Sequence, residues 1–153
     1  MAPLAVTSLF LALVCVCRAQ TTTTLGSGFI QPLGVAVDAA GNVYTADAGN
    51  SAVYITFANG TTSALGSGFS FSQPYGVAVD VAMNVYVADS GAGSVYNISS
   101  AGGTPSALGG SFSFIHPRGG AIDSALNVYV ADYSGSVYSI ASAGGGGSRS
   151  ACA

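Results

Sequence analysis

Half of this 153-residue chain is apolar, yet only 6% of it is charged: six acidic residues, all Asp, three Arg, no Lys, and a net charge of −3. So few cations leave little with which to build a phosphate-binding surface, which argues against nucleic acid as a partner. A single His is fewer than a catalytic zinc site usually takes, and three Cys are too few for a disulfide framework.

The first element in chain order is an apolar run, "LAVTSLFLALVCVC" at 4–17, followed by Arg18, Ala19 and Gln20. It is shorter than the about 20 residues a membrane-spanning helix needs and reads as a signal peptide, residues 1–19, cleaved after Ala19. The expected protein is secreted, with no membrane contact after cleavage. Cleavage would remove Cys15 and Cys17 and leave Cys152 in a Gly/Ser-rich tail, 144–153, expected to be disordered. A lone thiol there cannot form an internal bridge.

Residues 20–143 repeat themselves. "IQPLGVAVDAAGNVYTADAG" (30–49), "SQPYGVAVDVAMNVYVADSG" (72–91) and "IHPRGGAIDSALNVYVADYS" (115–134) align Pro32, Pro74 and Pro117 at spacings of 42 and 43 residues. Such a period marks a stacked array or a propeller. Each unit offers short alternating β-branched runs: "GVAVD" (76–80), "NVYVAD" (84–89), and "SVYNIS" (94–99) with counterparts "AVYITF" (52–57) and "SVYSIA" (136–141). A fourth run, "TTSALG" (61–66) or "TPSALG" (104–109), closes the unit. Gly, Asn, Asp and Ser separate these runs, no helical period interrupts them, and four strands per unit make one blade. The expectation is an all-β protein of three four-stranded propeller-type blades, about 27–66, 67–109 and 110–143. They would be half of a six-bladed ring or an open arc.

The pattern Pro-x-Gly-Val-Ala-Val-Asp, Asn-Val-Tyr-Val-Ala-Asp, Gly/Ser loop and Val-Tyr resembles the NHL repeat, and the resemblance runs from Leu25 to about Ala143. It implies a β-propeller, commonly six-bladed in that family. Some of the family's relatives are lyases, one of them zinc-dependent. Others bind RNA through basic residues that this chain lacks.

All six acidic residues fall inside the repeated phrase. Asp38, Asp80 and Asp123 open the turn between the first two strands, and Asn42, Asn84 and Asn127 close it. Asp47, Asp89 and Asp132 end the second strand. Asp at a turn accepts backbone N–H bonds locally, so these nine residues read as structural turn residues rather than cation ligands. Gly41 stands where the turn calls for positive φ, and Met83 and Leu126 replace it in the later copies, which predicts either a different turn shape or strained, less stable copies there.

Three blades are fewer than the about 4–8 with which propellers close. "TTTTLG" (21–26) matches the fourth-strand sequences, while the third unit has no such strand after residue 141. A homodimer could therefore close a six-bladed ring, each N-terminal strand completing the other copy's third blade. A fragment of a longer NHL protein is the competing reading.

No catalytic or metal constellation is visible in the sequence, and the expectation is a non-enzymatic protein without cofactors. Ca²⁺ in a homomeric ring is unsupported by any Asp-dense loop. Where copies agree, packing explains the agreement, so function is sought where they differ. Leu33, Tyr75 and Arg118 follow the aligned Pro. His116 replaces Gln31 and Gln73, and Tyr133 replaces Ala48 and Ser90. These five are the candidate binding residues, of the aromatic and cationic kind enriched at interaction hot spots. The expected role is a protein or glycan interaction platform. The rivals are a secreted propeller enzyme of lyase or lactonase type and a structural extracellular or cell-wall component. Asn59 ("NGT") and Asn97 ("NIS") are sequons; Asn97, inside an expected strand, is the weaker acceptor.

Overall fold

The computed structural model describes residues 20–66 and 68–142. The expected signal peptide, Cys152 and the tail lie outside the described residues. Within them the chain forms three antiparallel sheets and no helix. The first sheet runs β1 (Pro32–Val37), β2 (Val43–Asp47), β3 (Ala52–Thr56) and β4 (Thr62–Leu65), in that spatial order. The second repeats it with β5 (Pro74–Val79), β6 (Val85–Asp89), β7 (Ser94–Ile98) and β8 (Ser106–Leu108). The third has β9 (Pro117–Ile122), β10 (Val128–Asp132) and β11 (Ser136–Ile140). The all-β blade architecture expected from the period is the one observed.

Strand alternation sends successive side chains to opposite faces, and both faces of the middle sheet are buried. One apolar cluster joins Tyr44, Ala46, Val53 and Ile55 of the first blade to Val77, Val85, Val87 and Ile98 of the second. The other joins Val95 of the second blade to Phe114, Val128 and Val130 of the third, with Tyr86 and Ile140 at its edge. Each fully buried Val or Phe contributes about 1.5–3 kcal/mol. An aromatic clasp recurs ahead of each inner strand: Phe29 on Tyr54 (5.6 Å), Phe71 on Tyr96 (5.8 Å) and Phe114 on Tyr138 (5.4 Å), all edge-on.

The first strands of the blades, β1, β5 and β9, lie side by side as the inner wall. They approach so closely that a Cβ on Gly76 would sit 2.5 Å from the Arg118 carbonyl oxygen, and one on Gly34 would meet the Tyr75 carbonyl in the same way. The glycines two residues after Pro32 and Pro74 are thus required by neighbouring backbone.

The turns follow one design. Asp38 Oδ1 accepts the N–H groups of Ala40 and Asn42 (2.9 Å each), and Oδ2 accepts Asn42 Nδ2 (2.8 Å) and the Tyr44 hydroxyl (3.1 Å). Asp80 and Asp123 repeat all four bonds. Each Asn in turn accepts an N–H from the next turn of the sheet, at Ala58, Ser100 and Ser142. The closing residue is left-handed in every copy: Gly41 at φ 83°, Met83 at 64° and Leu126 at 65°. The substitutions leave the turn shape intact and put two bulky residues in a conformation that favours glycine.

One expected element is not a strand. Residues 21–26 pair with no strand among the described residues. The physical reason is the lack of a receiving edge among the described residues: β4 pairs with β3 and β8 with β7, each in the blade ahead of the next inner strand, and no described blade lies ahead of β1.

Candidate binding site

The second Asp of each copy builds the rim on which the candidate residues stand. Asp47, Asp89 and Asp132 are buried at the end of the second strand. Asp47 accepts the N–H of Ile30 (2.9 Å) and of Gln31 (2.8 Å), the two residues before Pro32. Asp89 takes Ser72 and Gln73 (both 2.7 Å), and Asp132 takes Ile115 (2.8 Å) and His116 (3.1 Å). Each carboxylate also holds its own loop, as Asp47 does through Asn50 and Asp132 through the Ser134 N–H. Burial pushes the Asp47 carboxyl up, but the Gln31, Ile30 and Asn50 donors outweigh it and leave its pKa below the ordinary 3.8. At Asp132 burial is likewise outweighed, by donors from Ser134, His116 and Ile115.

Clamped at that point, each inner strand makes a β-bulge. Pro32 pairs with Asp47 and Gly34 with Ala46, so Leu33 has no partner across the ladder. Tyr75 is skipped in the same way in β5, and Arg118 in β9. A bulge re-aims a side chain, and these three place Leu33, Tyr75 and Arg118 in a row along the inner wall. The Arg118 guanidinium carbon lies 5.0 Å from the Tyr75 ring centroid and 4.2 Å from that of Tyr133. Such contacts contribute about 0.5–1 kcal/mol each when exposed. Tyr133 is positioned by its N–H, which donates to the His116 carbonyl at 3.0 Å.

The structure therefore brings together Tyr75, Arg118 and Tyr133. His116 enters through its backbone, and Leu33 marks the same bulge in the first blade without a ring or charge. Comparison of the copies found the residues but gave no sign of the bulge, whose only trace in the sequence is the invariant Pro-x-Gly spacing. On the opposite face a shallow apolar crevice between the first two blades is lined by Val37, Val79, Val81 and Met83. Asp38 and Asp80 beside it are occupied by their own turns. Among the described residues no group of three or more His, Cys, Asp or Glu is placed to hold a metal ion.

Repeated antiparallel sheets packed face to face, each with its first strand on a common inner wall, define the β-propeller class. Within it, residues 29–55 match the NHL repeat. The two later copies carry the same Pro-x-Gly, Asp, Asn, Tyr and Asp positions, so the likeness to that repeat recurs along the chain. A search of curated proteins gives no match.

Among solved structures, a streptogramin B lyase is similar with a TM-score of 0.64 at 14% identity, covering 79% of this chain and 40% of that one. Virginiamycin B lyase from Staphylococcus aureus, solved with quinupristin, gives 0.63 at 10% identity, covering 73% and 38%. A gluconolactonase from Xanthomonas campestris gives 0.63 at 20%, covering 77% and 46%. The chain spans less than half the length of these structures, and at such identities the likeness establishes the fold. It also corrects one expectation. The non-enzymatic assignment rested on the scarcity of His, Glu and Lys. Its neighbours in fold are lyases and a lactonase, so this architecture is one that enzymes use and residue counting does not exclude catalysis.

Proposed function

We propose that the protein is a secreted interaction platform whose inner-wall rim binds a carboxylate-bearing partner, an acidic glycan or an acidic protein segment. The observation that carries this reading is the Arg118 guanidinium, stacked between two tyrosine rings with no carboxylate partner among the described residues. A planar cation held by aromatic faces keeps its N–H edge free for bidentate contact, and charge-assisted bonds of that kind contribute about 1.5–3 kcal/mol. The flanking rings add surface on which a sugar or an aliphatic stem can lie.

The test is titration of the purified chain with a uronic-acid oligomer, an acidic peptide and a neutral oligosaccharide, followed by tyrosine fluorescence. Binding of one acidic probe, weakened by salt and lost in Arg118→Ala, supports the proposal and names the partner class. Equal binding by wild type and Arg118→Ala overturns it.

A second reading, a propeller enzyme of lyase or lactonase type, is favoured by the fold neighbours. Turnover of a lactone or a cyclic ester by the wild type, reduced in Arg118→Ala or His116→Ala, would support it over simple binding.

A further inference from the structure

We infer that a second copy of this chain covers the two outer blade faces, so that two chains close one six-bladed ring. Each seam inside the chain joins the trailing face of one blade to the leading face of the next. Both halves of that seam are present, uncovered among the described residues, at the first and third blades. On the leading side Val35 is 68% exposed, whereas Val77, its counterpart in the second blade, is 7% exposed. On the trailing side Val137 is 51% exposed and its first-blade counterpart Val53 is fully buried. Tyr129 and Ala131 are exposed where Tyr44 and Ala46 are buried. Exposed apolar surface of this extent marks an association site.

The backbone is shaped for the same partner. Gly34 and Gly76 each face the carbonyl of the bulge residue in the following blade. Gly119 is the third of the series, and a Cβ there would meet only Ala131 Cβ, at 3.7 Å. The group that fits against Gly119 is the carbonyl of Leu33, the bulge residue of a first blade, from another copy.

The strand inventory agrees. β4 completes one blade and then leads directly into the inner strand of the next, and so does β8. Residues 21–26 lead into β1 in the same way but are unpaired, while β11 has an open outer edge among the described residues. A second copy seated on the third blade would bring its residues 21–26 to that edge. Two copies supply six blades, within the range of about 4–8 at which propellers close. The streptogramin B lyase and the gluconolactonase, of which this chain covers 40% and 46%, are single chains long enough to hold about that much. The contact joins unlike faces, and it closes rather than extending because it is made twice around one axis.

Sedimentation and light scattering of the full chain at micromolar concentration test this, with circular dichroism to monitor folding. A discrete dimer is expected. Gly119→Ala has room in the isolated chain and should leave the spectrum unchanged while weakening the dimer at least about tenfold, 1.4 kcal/mol. Val35→Asp, at the exposed leading face, should do the same. A folded wild-type monomer at tens of micromolar, a dimer indifferent to both variants, or oligomers that grow without limit would each overturn the inference.

Discussion

The left-handed residues at 83 and 126 allow the turn reading to be tested quantitatively. A bulky L-residue at φ near 64° carries roughly 1–2 kcal/mol of steric strain relative to glycine. Glycine takes back about 0.4–1 kcal/mol by loosening the unfolded chain. Met83 is 53% exposed, so its truncation also forfeits part of a methionine's burial, on the order of 0.5–1 kcal/mol. Met83→Gly and Leu126→Gly should therefore lie within about 1 kcal/mol of wild type in either direction, and the double variant should show the sum of the two single shifts, since the turns are separate. The decisive comparison is with Met83→Ala and Leu126→Ala, which lose the side chain but keep the strain. Each Gly variant should exceed its Ala partner by about 0.5–1 kcal/mol, a few degrees in melting midpoint for a domain this size. Gly41→Ala should lose a similar amount, because Gly41 shares the conformation at φ 83° with nothing within 4 Å of an added Cβ. Thermal melts followed by circular dichroism give all the midpoints. Gly variants melting below their Ala partners at both positions would refute the assignment of strain to these turns.

Asp89→Ala should be far more damaging than removal of an ordinary surface charge, at about 3 kcal/mol or more in denaturant titration, because the part-buried N–H groups of Ser72 and Gln73 lose their charged acceptor together, at about 1.5–3 kcal/mol per bond. On the acid side, the lowered pKa values of Asp38, Asp47 and Asp132 mean that the folded state binds fewer protons than the unfolded state. Their contribution is present above the ordinary carboxylate pKa and is lost as pH falls below about 4, so midpoints should fall there. On the alkaline side, burial and the Asp38 hydrogen bond push Tyr44 up to about 12. Its contribution is present below pH 10 and lost between 10 and 12; Tyr86 is raised in the same direction, and Tyr44→Phe should flatten that limb. In a glycosylating secretory host Asn59 should be modified and Asn97 should not. Asn59 lies in an exposed turn where its carbonyl oxygen accepts from Thr61, whereas Asn97 sits mid-strand in β7 between Tyr86 and Ser106. Intact mass of wild type and Asn59→Gln checks it.

What the sequence reveals about this fold is what depends on local order. Alternating Val and Ala, the 42- to 43-residue period and the Asp-to-Asn turn each act within a few residues, and the strands and the turn bonds follow them. The second Asp was legible only in part. Its loop bonds are local, but its bonds to Ile30 and Gln31 cross 17 and 16 residues and exist only after β1 and β2 have paired. The tyrosine hydroxyls on Asp38, Asp80 and Asp123 were hidden for a different reason: Tyr in an alternating strand reads as core, and Tyr44 is core and a donor at once. Residues 21–26 show the limit of matching by similarity, since a strand sequence becomes a strand only where an edge receives it.

The candidate site obeys a different logic, because it occupies positions the blade leaves free. At the bulge the ladder makes no demand on the residue, and Leu33, Tyr75 and Arg118 differ accordingly; one position on, Gly34 and Gly76 have no room for a Cβ against the neighbouring blade. Tyr133 follows the buried Asp132 in the same way. The carboxylates therefore serve the site indirectly. By tying the strand start to the second strand's end they force the extra residue outward, and that geometry sets Arg118 against both tyrosine rings. A change that unclamps Asp132 while sparing Arg118 should scatter the stack and weaken binding at the rim, which would separate positioning by the blade from contact by the ligand.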